Sequence, residues 1–116
     1  MTDKESVGLY LHIPFCKKRC AYCSFYSSFD SEELKDEYTK RLITVIRERG
    51  GKISRPVNTV YFGGGTPSLL DPADAARLIA AAQPLPGAEI TLEANPETVT
   101  EDSLRAFREA GVNRIS

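Results

Sequence analysis

Residues 57–79 read VNTVYFGGGTPSLLDPADAARLI, and the order of residue types in that stretch decides the architecture. PVNTVYF, from Pro56 to Phe62, is rich in β-branched and aromatic residues and reads as a short strand ending at Gly63. Asp71 followed by Pro72 is a helix start, with a capping carboxylate and a proline at the first helical position. Pro84 lies beyond the end of that helix. Between strand and helix stands GGGTP, Gly63 to Pro67. Three glycines in a row let the backbone approach a ligand closely and present N–H groups to a carboxylate or phosphate, although a flexible turn has the same composition.

The same alternation continues outward in both directions. Downstream, AEITLEA reads as a strand and Asn95-Pro96 as a turn. Thr100 opens a helix carrying Leu104 and Phe107, Gly111 closes it, and VNRIS begins another strand. Upstream, VGLYLHIPF sets Leu9, Leu11 and Ile13 against Tyr10 and His12 with a strand period, and Pro14 ends it. Asp30 or Ser31 offers an N-cap, with Glu33 as capping-box partner. Leu34, Tyr38, Leu42, Val45 and Ile46 fall on one helical stripe that Gly50-Gly51 is expected to stop. The pattern β-α-β-α-β-α-β implies an α/β fold of parallel strands with helical crossovers. A complete (β/α) barrel takes about 250 residues, so the 116 residues are expected to form the front half of one. Such a half, with an open wall and an unpaired edge at Val112 to Ser116, is expected to be poorly soluble and inactive alone.

Composition narrows the function classes. Apolar residues make up 41% and charged residues 27%, and 15 Lys and Arg face 16 Asp and Glu, a net charge of −1. No strong field points to nucleic acid, no apolar run is long enough for a membrane span, and no signal-peptide stretch opens the sequence. A cytoplasmic location is the expectation.

All three cysteines, Cys16, Cys20 and Cys23, lie in PFCKKRCAYCSFY with C-x3-C-x2-C spacing. An odd, tight cluster argues for metal chemistry over disulfides. Three thiolates on a four-iron cluster leave one iron open to a chelating ligand. Zinc would need a fourth ligand, and His12, the single histidine, is the available candidate. Its place inside a strand pattern makes the iron–sulfur reading the better one. Lys17, Lys18 and Arg19 are either a solvated loop or a positive patch that offsets cluster charge and helps an acidic electron donor dock. Glu93 ends a strand on which Glu89 and Thr91 alternate with Ile90 and Leu92. That polar face either meets solvent or lines a barrel interior, where a carboxylate needs a partner.

HIPFC-x3-C-x-Y-C from His12 to Cys23, together with VYFGGGTPSLL and GVNRIS, resembles the radical S-adenosylmethionine (SAM) superfamily. Within it the chain is most similar to the oxygen-independent coproporphyrinogen III dehydrogenases and their haem-chaperone (HemW-type) relatives. The resemblance implies that residues 1–116 are the N-terminal part of a radical SAM core domain, with the remaining barrel and a C-terminal domain beyond them. It implies that Cys16, Cys20 and Cys23 hold a [4Fe–4S] cluster whose fourth iron SAM chelates, and that an entering electron cleaves SAM. By motif position, Tyr10, Tyr22, Gly64, Gly65, Thr66 and Glu93 match residues near SAM. The decarboxylating enzymes carry a further cysteine two residues after the third, where this sequence has Phe25, and a longer segment before the first. Both departures resemble the chaperone branch, whose ligand is haem, over the enzymes, whose substrate is a porphyrinogen.

Overall fold

The computed structural model describes residues 6–14, 32–52, 56–96 and 99–116. Strand β1 (Val7–Ile13) is followed by helix α1 (Glu32–Lys52), β2 (Val57–Gly64) and α2 (Pro72–Ala82). Strand β3 (Glu89–Leu92), helix α3 (Glu101–Ala110) and β4 (Arg114–Ile115) complete the order. The strands form one four-stranded sheet in the order β1-β2-β3-β4, and each neighbouring pair is parallel. The expected β-α alternation is therefore present, and the strands add in one direction as in a barrel wall.

Among the described residues, helices α1, α2 and α3 cover one face of the sheet, with α1 against α2 and α2 against α3. Period-two alternation decides which side chains they cover. Leu11 and Ile13 of β1, Val60 and Phe62 of β2, and Ile90 and Leu92 of β3 point into this layer and are buried. They meet Ile43 and Ile46 of α1, Ala75, Leu78 and Ile79 of α2, and Phe107 of α3. Tyr10, His12 and Arg114 lie on the exposed second face.

The helix ends follow local chemistry. Asp71 accepts from the Ala73 N–H at 3.0 Å, ahead of Pro72. Thr100 and Ser103 cap α3 reciprocally, each side chain taking the other's backbone N–H, and Gly111 closes it at φ 125°. In α1 two expectations change. The helix runs through Gly50 and Gly51 to Lys52, since a glycine weakens a final helical turn without breaking it. Its buried stripe is Thr39, Ile43 and Ile46 flanked by Tyr38 and Leu42, while Val45 is 42% exposed; the packed face is rotated from the one the apolar residues suggested. Asp30, Ser31 and the side chain of Leu34 lie outside the described residues.

The fourth strand starts later than its sequence suggests. Val112 is buried, but the ladder begins only at Arg114. The Asn113 side chain takes its place, accepting from the Ile90 N–H at 2.8 Å and donating to the Ala88 carbonyl at 2.9 Å.

These contacts rank two substitutions. Phe107→Ala empties a buried aromatic site and should cost about 3–5 kcal/mol. Thr100→Ala loses an exposed cap and should cost about 1 kcal/mol. Urea unfolding midpoints of the two variants check the order, and equal losses would contradict the packing described for α3.

Candidate functional site

Parallel pairing brings the carboxyl ends of β1, β2 and β3 to one edge, the edge at which α/β sheets carry ligands. The register sets His12 beside Gly63, Ile13 beside Gly64 and Tyr10 beside Tyr61. Glu93, one residue past β3, continues the ladder by donating its N–H to the Phe62 carbonyl at 3.0 Å. Tyr10, Tyr61 and Glu93 each follow the period-two rule onto the face opposite the helices.

Each glycine of the β2 turn has its own reason. A Cβ on Gly63 would stand 2.7 Å from the Tyr10 hydroxyl, so this glycine makes room for the tyrosine ring. Gly64 has φ +114°, and a Cβ there would lie 2.8 Å from the Ile13 carbonyl oxygen and 2.9 Å from the His12 imidazole. The Gly65 N–H donates to that same Ile13 carbonyl at 2.9 Å. The Gly64 N–H donates to Glu93 Oε1 at 3.2 Å. The N–H groups of Gly64 and Gly65, expected to face a ligand, are thus engaged within the protein.

Glu93 receives a second donor, the Tyr61 hydroxyl, on Oε2 at 2.7 Å. The Tyr61 ring stacks on that of the exposed Tyr10, centroids 5.8 Å apart and planes within 13°. The carboxylate of Glu93 raises the Tyr61 pKa above the usual tyrosine value, opposed by a hydrogen bond with Ser116. Beside Glu93 opens a cavity of about 410 Å³, lined by Gly65, Thr66, Pro67, Glu93, Asn95 and Ser116. Thr66 leads into a short turn of 3-10 helix, Pro67–Leu69, without capping it through its side chain.

The structure brings Gly64, Gly65, Thr66 and Glu93 together at one edge of the sheet. Tyr10 stands one step down the same face, beside Tyr61. His12, whose direction the sequence left open, is exposed, abuts Gly64 and has its ring 6.2 Å from that of Tyr10. Cys16, Cys20, Cys23, Tyr22, Phe25 and the basic run from Lys17 to Arg19 lie outside the described residues. Among the described residues no three His, Cys, Asp or Glu side chains converge as a metal site, and no helix is long and apolar enough to cross a membrane. Three further residues stand at the site, Asn95, Ser116 and Tyr61. By sequence pattern Asn95 belongs to a turn and Ser116 to a strand. Tyr61 was legible in principle, because it precedes Gly63 by one strand period and so shares its face.

Residues 10–116 match the radical SAM superfamily. The heme chaperone HemW of Escherichia coli (strain K12) is 42% identical over 122 residues, an alignment covering 100% of this chain and 32% of the relative. The oxygen-independent coproporphyrinogen III oxidase of Bradyrhizobium diazoefficiens is 39% identical over 119 residues, covering 96% of this chain and 26% of that protein. Among solved structures, coproporphyrinogen III oxidase (HemN) from Escherichia coli superposes with a TM-score of 0.78 at 31% identity, over 97% of this chain and 27% of that one. The chain thus spans about a quarter to a third of these relatives' length. The family match runs from within β1 to the end of β4, through the glycine-rich turn between β2 and α2, and the chain belongs to the radical SAM superfamily.

Proposed function

We propose that the chain supplies the cluster- and SAM-binding part of a haem chaperone, with Cys16, Cys20 and Cys23 as cluster ligands. The observation that carries the SAM site is Glu93, held by two donors beside an open cavity. A carboxylate has about four acceptor sites; described residues occupy two of them, and an ammonium or a ribose hydroxyl can be accepted at another. The cavity's size falls in the range of small-ligand sites, about 300–1,000 Å³. On this reading Gly64 and Gly65 contribute clearance, Thr66 a hydroxyl at the rim, and Tyr10 an aromatic surface; Tyr22 joins them by its motif position. The chemistry that a reduced cluster and SAM supply together is one-electron cleavage of a sulfonium carbon–sulfur bond.

The chaperone reading is favoured over the enzyme by Phe25, which stands where the decarboxylating enzymes carry a fourth cysteine. It is supported by the similarity to the heme chaperone of Escherichia coli (strain K12). The second reading is an oxygen-independent coproporphyrinogen III dehydrogenase, supported by the likeness to HemN. A zinc-binding module is the third. We place the protein in the cytoplasm, receiving its electron from an acidic donor of the flavodoxin or ferredoxin type that docks near Lys17, Lys18 and Arg19.

Anaerobic reconstitution of the full-length protein should give a [4Fe–4S] cluster whose reduced EPR spectrum changes on adding SAM. Cys16→Ala, Cys20→Ala or Cys23→Ala should each abolish it, since two protein thiolates rarely hold a cube. Stoichiometric zinc without sulfide would overturn the assignment.

The full-length protein should also bind haem, followed by its absorbance, and leave coproporphyrinogen III unconverted under reducing, anaerobic conditions. Multiple-turnover formation of protoporphyrinogen, detected by chromatography, would establish the dehydrogenase instead.

A further inference from the structure

Tyr61 lies outside the residue set that the motifs suggest, yet its side chain touches two members of it. Its ring stacks on Tyr10 and its hydroxyl donates to Glu93. Glu93 follows the last residue of β3 and carries a rotamer-rich side chain, so its own strand does little to aim the carboxylate. Among the described residues, the two donors that aim it come from β2: Tyr61 to one oxygen and the Gly64 N–H to the other. The carboxylate is therefore referenced to the strand that ends in the glycine turn, and turn and carboxylate keep a constant relation. Tyr10 is placed in the same way. Gly63 clears space for its hydroxyl end, and the Tyr61 ring sets its plane.

We propose that Tyr61 is a positioning residue for the ligand site, its hydroxyl fixing the Glu93 carboxylate and its ring fixing Tyr10. This rests on the reading that Glu93 contacts SAM. Tyr61→Phe separates the two roles, because it keeps the stacked ring and removes the hydroxyl. A hydrogen bond to a charged group is strong enough that its loss should weaken SAM binding about ten-fold or more. Tyr61 acts through Glu93, so the loss should vanish where Glu93 has already been changed.

The test uses reconstituted full-length protein and the SAM dissociation constant from equilibrium dialysis. Glu93→Gln and Tyr61→Phe should each weaken binding about ten-fold or more, and the double variant should bind no worse than Glu93→Gln alone. A second readout is the tyrosinate absorbance of wild type minus Tyr61→Phe. The Tyr61 hydroxyl should ionise above the usual tyrosine range, and at lower pH once Glu93→Gln removes the carboxylate that accepts its proton. Because this pKa is raised on folding, the associated stability is present at neutral pH and is lost as pH climbs past the ordinary tyrosine value through the raised one. Unchanged affinity in Tyr61→Phe beside a weakened Glu93→Gln overturns the positioning role alone. Additive losses in the double variant also overturn it, since the hydroxyl would then act elsewhere. Unchanged affinity in Glu93→Gln removes the SAM contact itself, and the positioning role with it.

Discussion

Where β2 leaves the sheet, Gly64 takes φ +114° with the Ile13 carbonyl so close that no Cβ fits. In that conformation the turn delivers two consecutive N–H groups to different strands, Gly65 to the end of β1 and Gly64 to the carboxylate following β3. Three strands are stitched together at one edge by two residues. The placement of Gly65 at the cavity rim and the aim of Glu93 both depend on this crossing. A side chain at Gly64 would part β1 from β2 before it met any ligand, so substitution here reports on folding as much as on binding.

The sheet divides labour between its faces. On the helix side Leu11, Ile13, Val60, Phe62, Ile90 and Leu92 make a continuous apolar layer, the source of most of the stability. On the other side stand tyrosines, a histidine, glutamates and an arginine, including the Glu89–Arg114 ion pair at 2.9 Å. That pair is exposed at both ends and adds little to stability. The chemistry-bearing residues are thus mounted on a rigid layer to which they contribute little themselves. This lets the open face carry polar groups without weakening the core.

Much of this was readable in the sequence where local chemistry decides. Asp71-Pro72, Thr100 and Gly111 mark helix ends through their own hydrogen bonds, and the alternation around Glu93 puts it on the polar face. What escaped depends on contacts distant along the chain. Gly50 and Gly51 look like a stop, yet α1 continues through them. Val45 looks like core, yet the packing of α1 selects Thr39, Ile43 and Ile46. Tyr61 bonds a residue 32 positions away, and no local pattern names its partner. The use of the Gly64 N–H was hidden for the same reason: its acceptor is Glu93, 29 positions on.

Asn113 bears on how the fourth strand finds its place. Strands β3 and β4 share few backbone pairs, too few to distinguish the native alignment from one displaced by a residue, which would turn every side chain to the wrong face. The amide of Asn113 offers one donor and one acceptor at a fixed separation, matched to the Ala88 carbonyl and the Ile90 N–H. Displacement by a single residue would take the amide away from both groups, and both bonds would be lost. A side chain therefore serves as the key that admits only one alignment, and a very short strand acquires the fidelity of a longer one.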